Sequence, residues 1–127
     1  MRLSLVSIPV KDSIEAHEIY TSKLGFITKE FNPEHHLAIV VSTEEPLGVS
    51  FLLEPCEGSF AENYQASAYK ANLPIMVFST HNVKAELKRL QGLGVKLRPD
   101  LNNPEWGLIN MFEDGCGNIL MLEEKSN

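Results

Sequence analysis

One pattern of elements is written twice along this chain, and it limits the possible folds more than any other feature. The segment "LVSIPVKDSIEAHEIYTSKLGF", Leu5 to Phe26, reads as an apolar strand, a helix cap, an amphipathic helix and a terminating glycine. The segment "IMVFSTHNVKAELKRLQGLGVKL", Ile75 to Leu97, has the same order. In the first, Asp12 with Glu15 three residues on makes a capping-box-like start. Ala16, Ile19, Tyr20 and Leu24 then give a helical stripe that stops at Gly25. The second helix opens near His81 or Asn82, presents Val83, Leu87 and Leu90, and stops at Gly92 or Gly94. Strand-like runs follow each helix: "FITKEF", "HLAIVVS" and "GVSFLLEP" after the first, "VKLRP", "GLINMFED" and "NILMLEE" after the second. The turn signals "NPEHH", "TEEPLG" and "DGCGN" separate them. The pattern predicts an α+β fold of two βαβββ modules, about 1–56 and about 73–124, joined by a polar connector at about 57–72 within a single domain, 1–127.

A chain of 127 residues suffices for such a domain. Its formal net charge of −6 comes without any Lys/Arg cluster. Nucleic-acid binding needs a basic stripe to displace counterions, so that class is excluded, whereas a cationic small molecule is compatible. No apolar window reaches the length of a membrane span, and "MRLSLVSIPVKDS" lacks the core and cleavage site of a signal peptide, so no membrane partner is expected and the expected location is the cytoplasm. Cys56 and Cys116 are far apart and form no CxxC pair. Small structural thiols are the simpler reading, with a catalytic Cys116 in its turn the sharper one.

Two modules of this kind resemble the vicinal oxygen chelate superfamily, which includes glyoxalase I, extradiol dioxygenases, fosfomycin-inactivating thiol transferases and metal-free bleomycin-resistance proteins. The likeness covers nearly the whole chain and rests on "PVKDSIEAHEIYTSKLGF", on "FEDGCGNILML", and on "YKANLPIMVFSTHNVKAELKRLQGLGVKL", which is similar to small bacterial glyoxalase-like proteins. The family usually has Asp-Pro-Asp-Gly-Asn where this chain has Asp114-Gly115-Cys116-Gly117-Asn118. Metal-using members bind one divalent ion through a His or Glu on each first strand and a Glu on each fourth. The resemblance places Leu5, Phe51, Pro74 or Ile75, and Met121 at those positions. None offers a donor for a hard or borderline cation, since thioether sulfur is soft. The chain is therefore expected to lack the metal and any other cofactor.

Strand alternation extends this expectation to a pocket lining. With Met121 facing the cup, so does Glu123, while Leu120 and Leu122 face the helix layer. Phe51 and Leu53 are likewise expected to face in. On the first strand Val6, Ile8 and Val10 cover the helix, leaving Leu3, Leu5, Ser7 and Pro9 inward. The expected pocket is mainly apolar, with Ser7, Asn110 and Glu123 as its polar points and Trp106 at the entrance, a lining that suits an aromatic or cationic organic ligand. Its alternative is that these side chains fill core. His35 and His36 read as solvated loop residues, and His17 and His81 as surface or capping groups. Phe60, Tyr64 and Tyr69 in the connector fold over the pocket or pack at a dimer contact.

Two classes of function follow. One is a metal-free binding protein resembling the bleomycin-resistance group, a homodimer that takes up a small organic ligand. The other is an enzyme of the same superfamily, a lyase or dioxygenase type, using Glu123 or Cys116 without metal or carrying a metal site at other positions. A degenerate member with a structural or regulatory role is a third possibility.

Overall fold

The computed structural model describes residues 1–106 and 109–126. The chain divides into two compact units, Met1–Asn63 and Tyr64–Asn127. Among the described residues no helix is long and apolar enough to cross a membrane.

The first unit runs β1 (Leu5–Val10), α1 (Ser13–Ser22), β2 (Phe26–Asn32), β3 (Leu37–Ser42) and β4 (Ser50–Pro55). Its four strands lie in the order β1-β4-β3-β2. β1 runs parallel to β4, and the other two pairings are antiparallel. α1 begins where expected: Asp12 Oδ1 accepts the backbone N–H groups of Ile14 at 2.8 Å and Glu15 at 3.0 Å, so two of the helix's otherwise orphaned donors are satisfied. The helix buries Ser13, Ala16 and Tyr20. From Tyr20 an aromatic chain runs into the sheet, with ring centroids 5.9 Å apart to Phe26 and 5.3 Å onward to Phe51 in an edge-on arrangement. Ile8, Val10, Val40 and Leu53, all fully buried, complete this core. Each such side chain contributes roughly 1.5–3 kcal/mol by leaving water.

The second unit holds most of α2 (Phe60–Lys70), then β5 (Val77–Thr80), α3 (Val83–Gly92), β6 (Ile109–Glu113) and β7 (Ile119–Glu124). Its sheet has three strands in the order β5-β7-β6, with β5 parallel and β6 antiparallel to β7. Asn82 caps α3 by accepting the Ala85 N–H at 3.0 Å, and Glu124 Oε1 accepts the Val83 N–H at 3.0 Å. The strand expected over "VKLRP" shrinks to a single bridge, Leu97 to Phe112. Pro99 is the reason, since it has no N–H to extend a ladder and instead opens the 3-10 turn Pro99–Leu101.

The polar connector contains a helix that its composition does not announce. α2 starts like a capping box, with the Ala61 N–H donating to Ser59 Oγ at 3.1 Å and the Gly58 N–H donating to Glu62 Oε2 at 2.9 Å. Gln65, its one buried residue, locks it to the β6–β7 turn. Gln65 Nε2 donates to the Cys116 carbonyl at 3.1 Å and to Asn118 Oδ1 at 3.0 Å. Behind them buried Asp114 accepts from the Cys116 N–H at 2.7 Å, the Asn118 N–H at 3.2 Å and Asn118 Nδ2 at 2.8 Å. Gly117 closes this turn at φ 101°, and a Cβ there would lie 2.9 Å from the Gln65 amide.

Gly117→Ala therefore meets both left-handed backbone strain and a bonded, buried neighbour. It is expected to destabilise the protein by about 1–3 kcal/mol in urea denaturation. A loss below a few tenths would show that the turn is not held by Gln65.

Candidate functional site

Strand register decides which side chains share a face, because residues directly opposite on neighbouring strands point the same way. In the first unit Val6 pairs with Phe51, which pairs with Val40, and Ile8 pairs with Leu53. This is the α1 face, since Phe26 meets Tyr20 of α1 and Phe51 meets Phe26. The other face carries two complete ladder rows. One is Leu5, Ser50, Val41 and Ile27, and the next is Ser7, Leu52, Ile39 and Glu30. Pro9 and Glu54 follow as a partial row.

Ser7 thus lies on the face turned away from α1, as expected, and so does Leu5. Phe51 and Leu53 do not. Both point into the α1 core, so the expected inward parity of β4 is reversed. The cause is the pairing with β1, which puts Ser50, Leu52 and Glu54 beside Leu5, Ser7 and Pro9.

In the second unit Glu124 reaches the N-terminus of α3, which marks the even-numbered side of β7 as the helix side. Leu120 and Leu122 are buried there, as expected. Met121 and Glu123 take the opposite face, beside Val77 and Ser79. Glu123 is spoken for at the surface, with Oε1 3.1 Å from Lys125 Nζ. Asn110 is a second correction: it pairs with Leu122 and therefore lies on the helix side, where its Oδ1 accepts from Asn102 Nδ2 at 2.7 Å. Trp106 ends the 3-10 turn Pro104–Trp106, and its side chain lies outside the described residues.

The donors at the family's metal positions do not fit a divalent cation. Leu5 and Met121 lie on the faces away from the helices, and Ile75 precedes β5 with its backbone N–H bonded to the Ile119 carbonyl at 3.1 Å. Neither Ser50 nor Leu52, which replace Phe51 on that face, is a carboxylate. Among the described residues no three His, Cys, Asp or Glu side chains come together as a metal-binding group. His35 and His36 are exposed at the turn before β3.

The candidate nucleophiles are withdrawn from solvent. Cys116 is 5% and Cys56 2% exposed. Cys116 Sγ donates to the Asp114 carbonyl at 3.6 Å. Burial pushes the Cys56 thiol above its ordinary value, and Glu62 adds to the effect. His17 stacks on Phe31 with ring centroids 3.9 Å apart and bonds Thr28 Oγ1 at 2.7 Å, so it finishes the packing of α1 on β2.

Two polar groups that motif reading passed over stand out. Arg98 pairs with Asp100 at 2.9 Å and Glu113 at 3.0 Å, while Tyr69 donates to the same Glu113 oxygen at 3.0 Å. The Arg98 guanidinium holds the Asp100 carboxyl below the usual carboxylate range. A lowered value means that this pairing supports the fold at neutral pH and fades as acid protonates Asp100. It clamps α2 and the Pro99 turn to β6. The second is Lys29, at the β-bulge between Thr28 and Glu30, whose Nζ donates to Ser50 Oγ at 3.0 Å on the face away from α1.

Comparison with known proteins bears on this geometry. The model of the Glyoxalase/Bleomycin resistance protein/Dioxygenase superfamily matches residues 2–122. An uncharacterized protein of Bacillus subtilis (strain 168), YurT, is 34% identical over 127 residues, covering 98% of this chain and 100% of its own. Among solved structures, TnmS3, an antibiotic binding protein from Streptomyces sp. CB03234, is 27% identical with a TM-score of 0.72 over 99% of this chain and 97% of its own. A glyoxalase/bleomycin resistance protein from the same organism is 28% identical, with a TM-score of 0.66 over 95% of this chain and 98% of its own.

Burial of both thiols gives a direct expectation. Neither Cys56 nor Cys116 should react with Ellman's reagent over minutes in the native protein, and both should titrate once it is unfolded. Rapid labelling of one thiol in the native state would reopen the case for a cysteine nucleophile.

Proposed function

The chain belongs to the Glyoxalase/Bleomycin resistance protein/Dioxygenase superfamily, and from that premise we propose that it binds a small organic molecule without metal, on the sheet faces turned away from its helices. The observation that carries this reading is the character of that face in the first unit. Leu5 is 44% and Ile27 42% exposed there, beside half-buried Leu52 and Ile39. A sheet face left to water alone is normally polar, whereas a contiguous apolar surface with a few placed polar groups suits a ligand. Ser7 supplies one such group, and the corresponding face of the second unit presents Met121 and Glu123. TnmS3, similar over nearly its whole length, is an antibiotic binding protein.

Binding is favoured over catalysis by the state of the reactive groups. Cys116 is buried in a bonded turn, and Glu123 is paired with Lys125. Metal independence rests on the donor set, which offers leucine, isoleucine and methionine where metal-using relatives place histidine and glutamate. We further propose a homodimer, since family members complete their pockets by pairing modules across a two-fold interface. Light scattering at high micromolar concentration should give twice the chain mass, and a monomer would contradict this part alone.

A thermal-shift screen of aromatic metabolites and antibiotics tests the reading. A ligand at a hundredfold its dissociation constant adds about 2.7 kcal/mol of stability, which raises the melting temperature by several degrees. Hits should appear in buffer treated with chelator, and Leu52→Glu should diminish their shifts. Hits that depend on added divalent metal would overturn the proposal.

A further inference from the structure

Lys29 differs from the other cations of this chain in where its charge is delivered. β2 contains one extra residue between Thr28 and Glu30. Thr28 pairs with Val40 and Phe31 with Ala38, both on the α1 side, so the insertion returns Phe31 to stack on His17. It also leaves Lys29 and Glu30 consecutive on the opposite side, a use of a bulge that re-aims side chains. From there Lys29 crosses β3 and reaches Ser50 Oγ on β4 at 3.0 Å. The strand between them is represented on that face by Val41, which is 3% exposed, so the aliphatic stem spans an apolar residue and holds the ammonium over the sheet.

Among the described residues Lys29 has no carboxylate partner, although acidic residues outnumber basic ones in the chain, 17 to 11. An ammonium has three donors, and only one is used on Ser50. Glu30, its neighbour in sequence, stands on the same face in the next ladder row without an ion pair to it, and Glu54 in the row after that. The face therefore carries a cation with a buried hydroxyl at the Ser50 row, then apolar Leu52 and Ile39 with Glu30 at the β2 edge of their row, and Glu54 in the row beyond.

We infer that this face selects an organic anion, whose ionised oxygen sits on the Lys29 ammonium that the Ser50 hydroxyl holds in place, while its flat apolar body lies along Leu52 and Ile39. The inference rests on the proposed ligand-binding function and reverses the preference for a cation that net charge alone suggests. Long-range repulsion from a charge of −6 is screened beyond about 8 Å in physiological salt. A charge-assisted hydrogen bond over an apolar surface is stronger than the same contact in open water.

The test uses two fluorescent probes of like shape, the anion 8-anilino-1-naphthalenesulfonate and uncharged N-phenyl-1-naphthylamine, titrated into wild type, Lys29→Met and Lys29→Arg. Methionine keeps an aliphatic stem over Val41, so the fold is retained, and circular dichroism confirms it. The anion should bind Lys29→Met about tenfold more weakly than wild type, the uncharged probe equally well, and Lys29→Arg should recover most of the loss. Unchanged affinity of the anion for Lys29→Met, or an equal loss for both probes, overturns the assignment to Lys29 while leaving the binding surface in place. If neither probe binds wild type saturably, the ligand-binding function itself falls.

Discussion

In each unit the first strand lies parallel to the last, β1 beside β4 and β5 beside β7, and parallel neighbours can be joined only by a crossover that leaves the sheet and returns. In the first unit that crossover includes α1, which carries the buried Tyr20 and Ala16 and covers one face. The unit holds no second crossover helix, so the same connectivity that builds the core leaves the opposite face without a helical cover. Its side chains are not those of a face intended for water. Leucine, isoleucine and valine fill most of the two ladder rows, interrupted by Ser7, Ser50 and Glu30. Chain topology thus creates the surface, and residue choice gives it chemistry.

The repeated strand, cap and helix were legible because each is a local signal. Asp12 accepts the two N–H groups that its position implies, and the α1 stripe buries Ala16 and Tyr20. The parity of β7 was legible too. Parity failed in β4 for a physical reason: "SFLLE" has three apolar residues in a row, Phe51 to Leu53, so alternation says nothing about which side faces the helix. Pairing with Val6 and Ile8 on β1 settles it, and that partner lies some 45 positions away in the chain.

The other departures have the same non-local origin. Asn110 looks like a polar point in a pocket until Asn102, on the preceding loop, is seen to bind it. α2 lacks an apolar stripe, and its anchor is the amide of Gln65 held by a turn 51 and 53 residues further on. The bulge that delivers Lys29 has one faint sequence trace. Phe26 and Phe31 sit five apart, which puts them on opposite sides of a regular strand, yet both belong to the α1 layer. That trace becomes readable only once Tyr20 and His17 are known to lie above them.

The central claim is that ligand meets the face turned away from α1. Methyl-selective NMR on protein labelled at isoleucine, leucine and valine tests it most directly, because the two faces carry separate reporters. On titration with a hit from the thermal screen in chelated buffer, the methyl signals of Leu5, Ile27, Ile39 and Leu52 should move together and saturate. Those of Ile8, Val40 and Leu53, buried against α1, should shift little. Saturable shifts confined to Ile8, Val40 and Leu53, with the opposite face silent, would contradict the account.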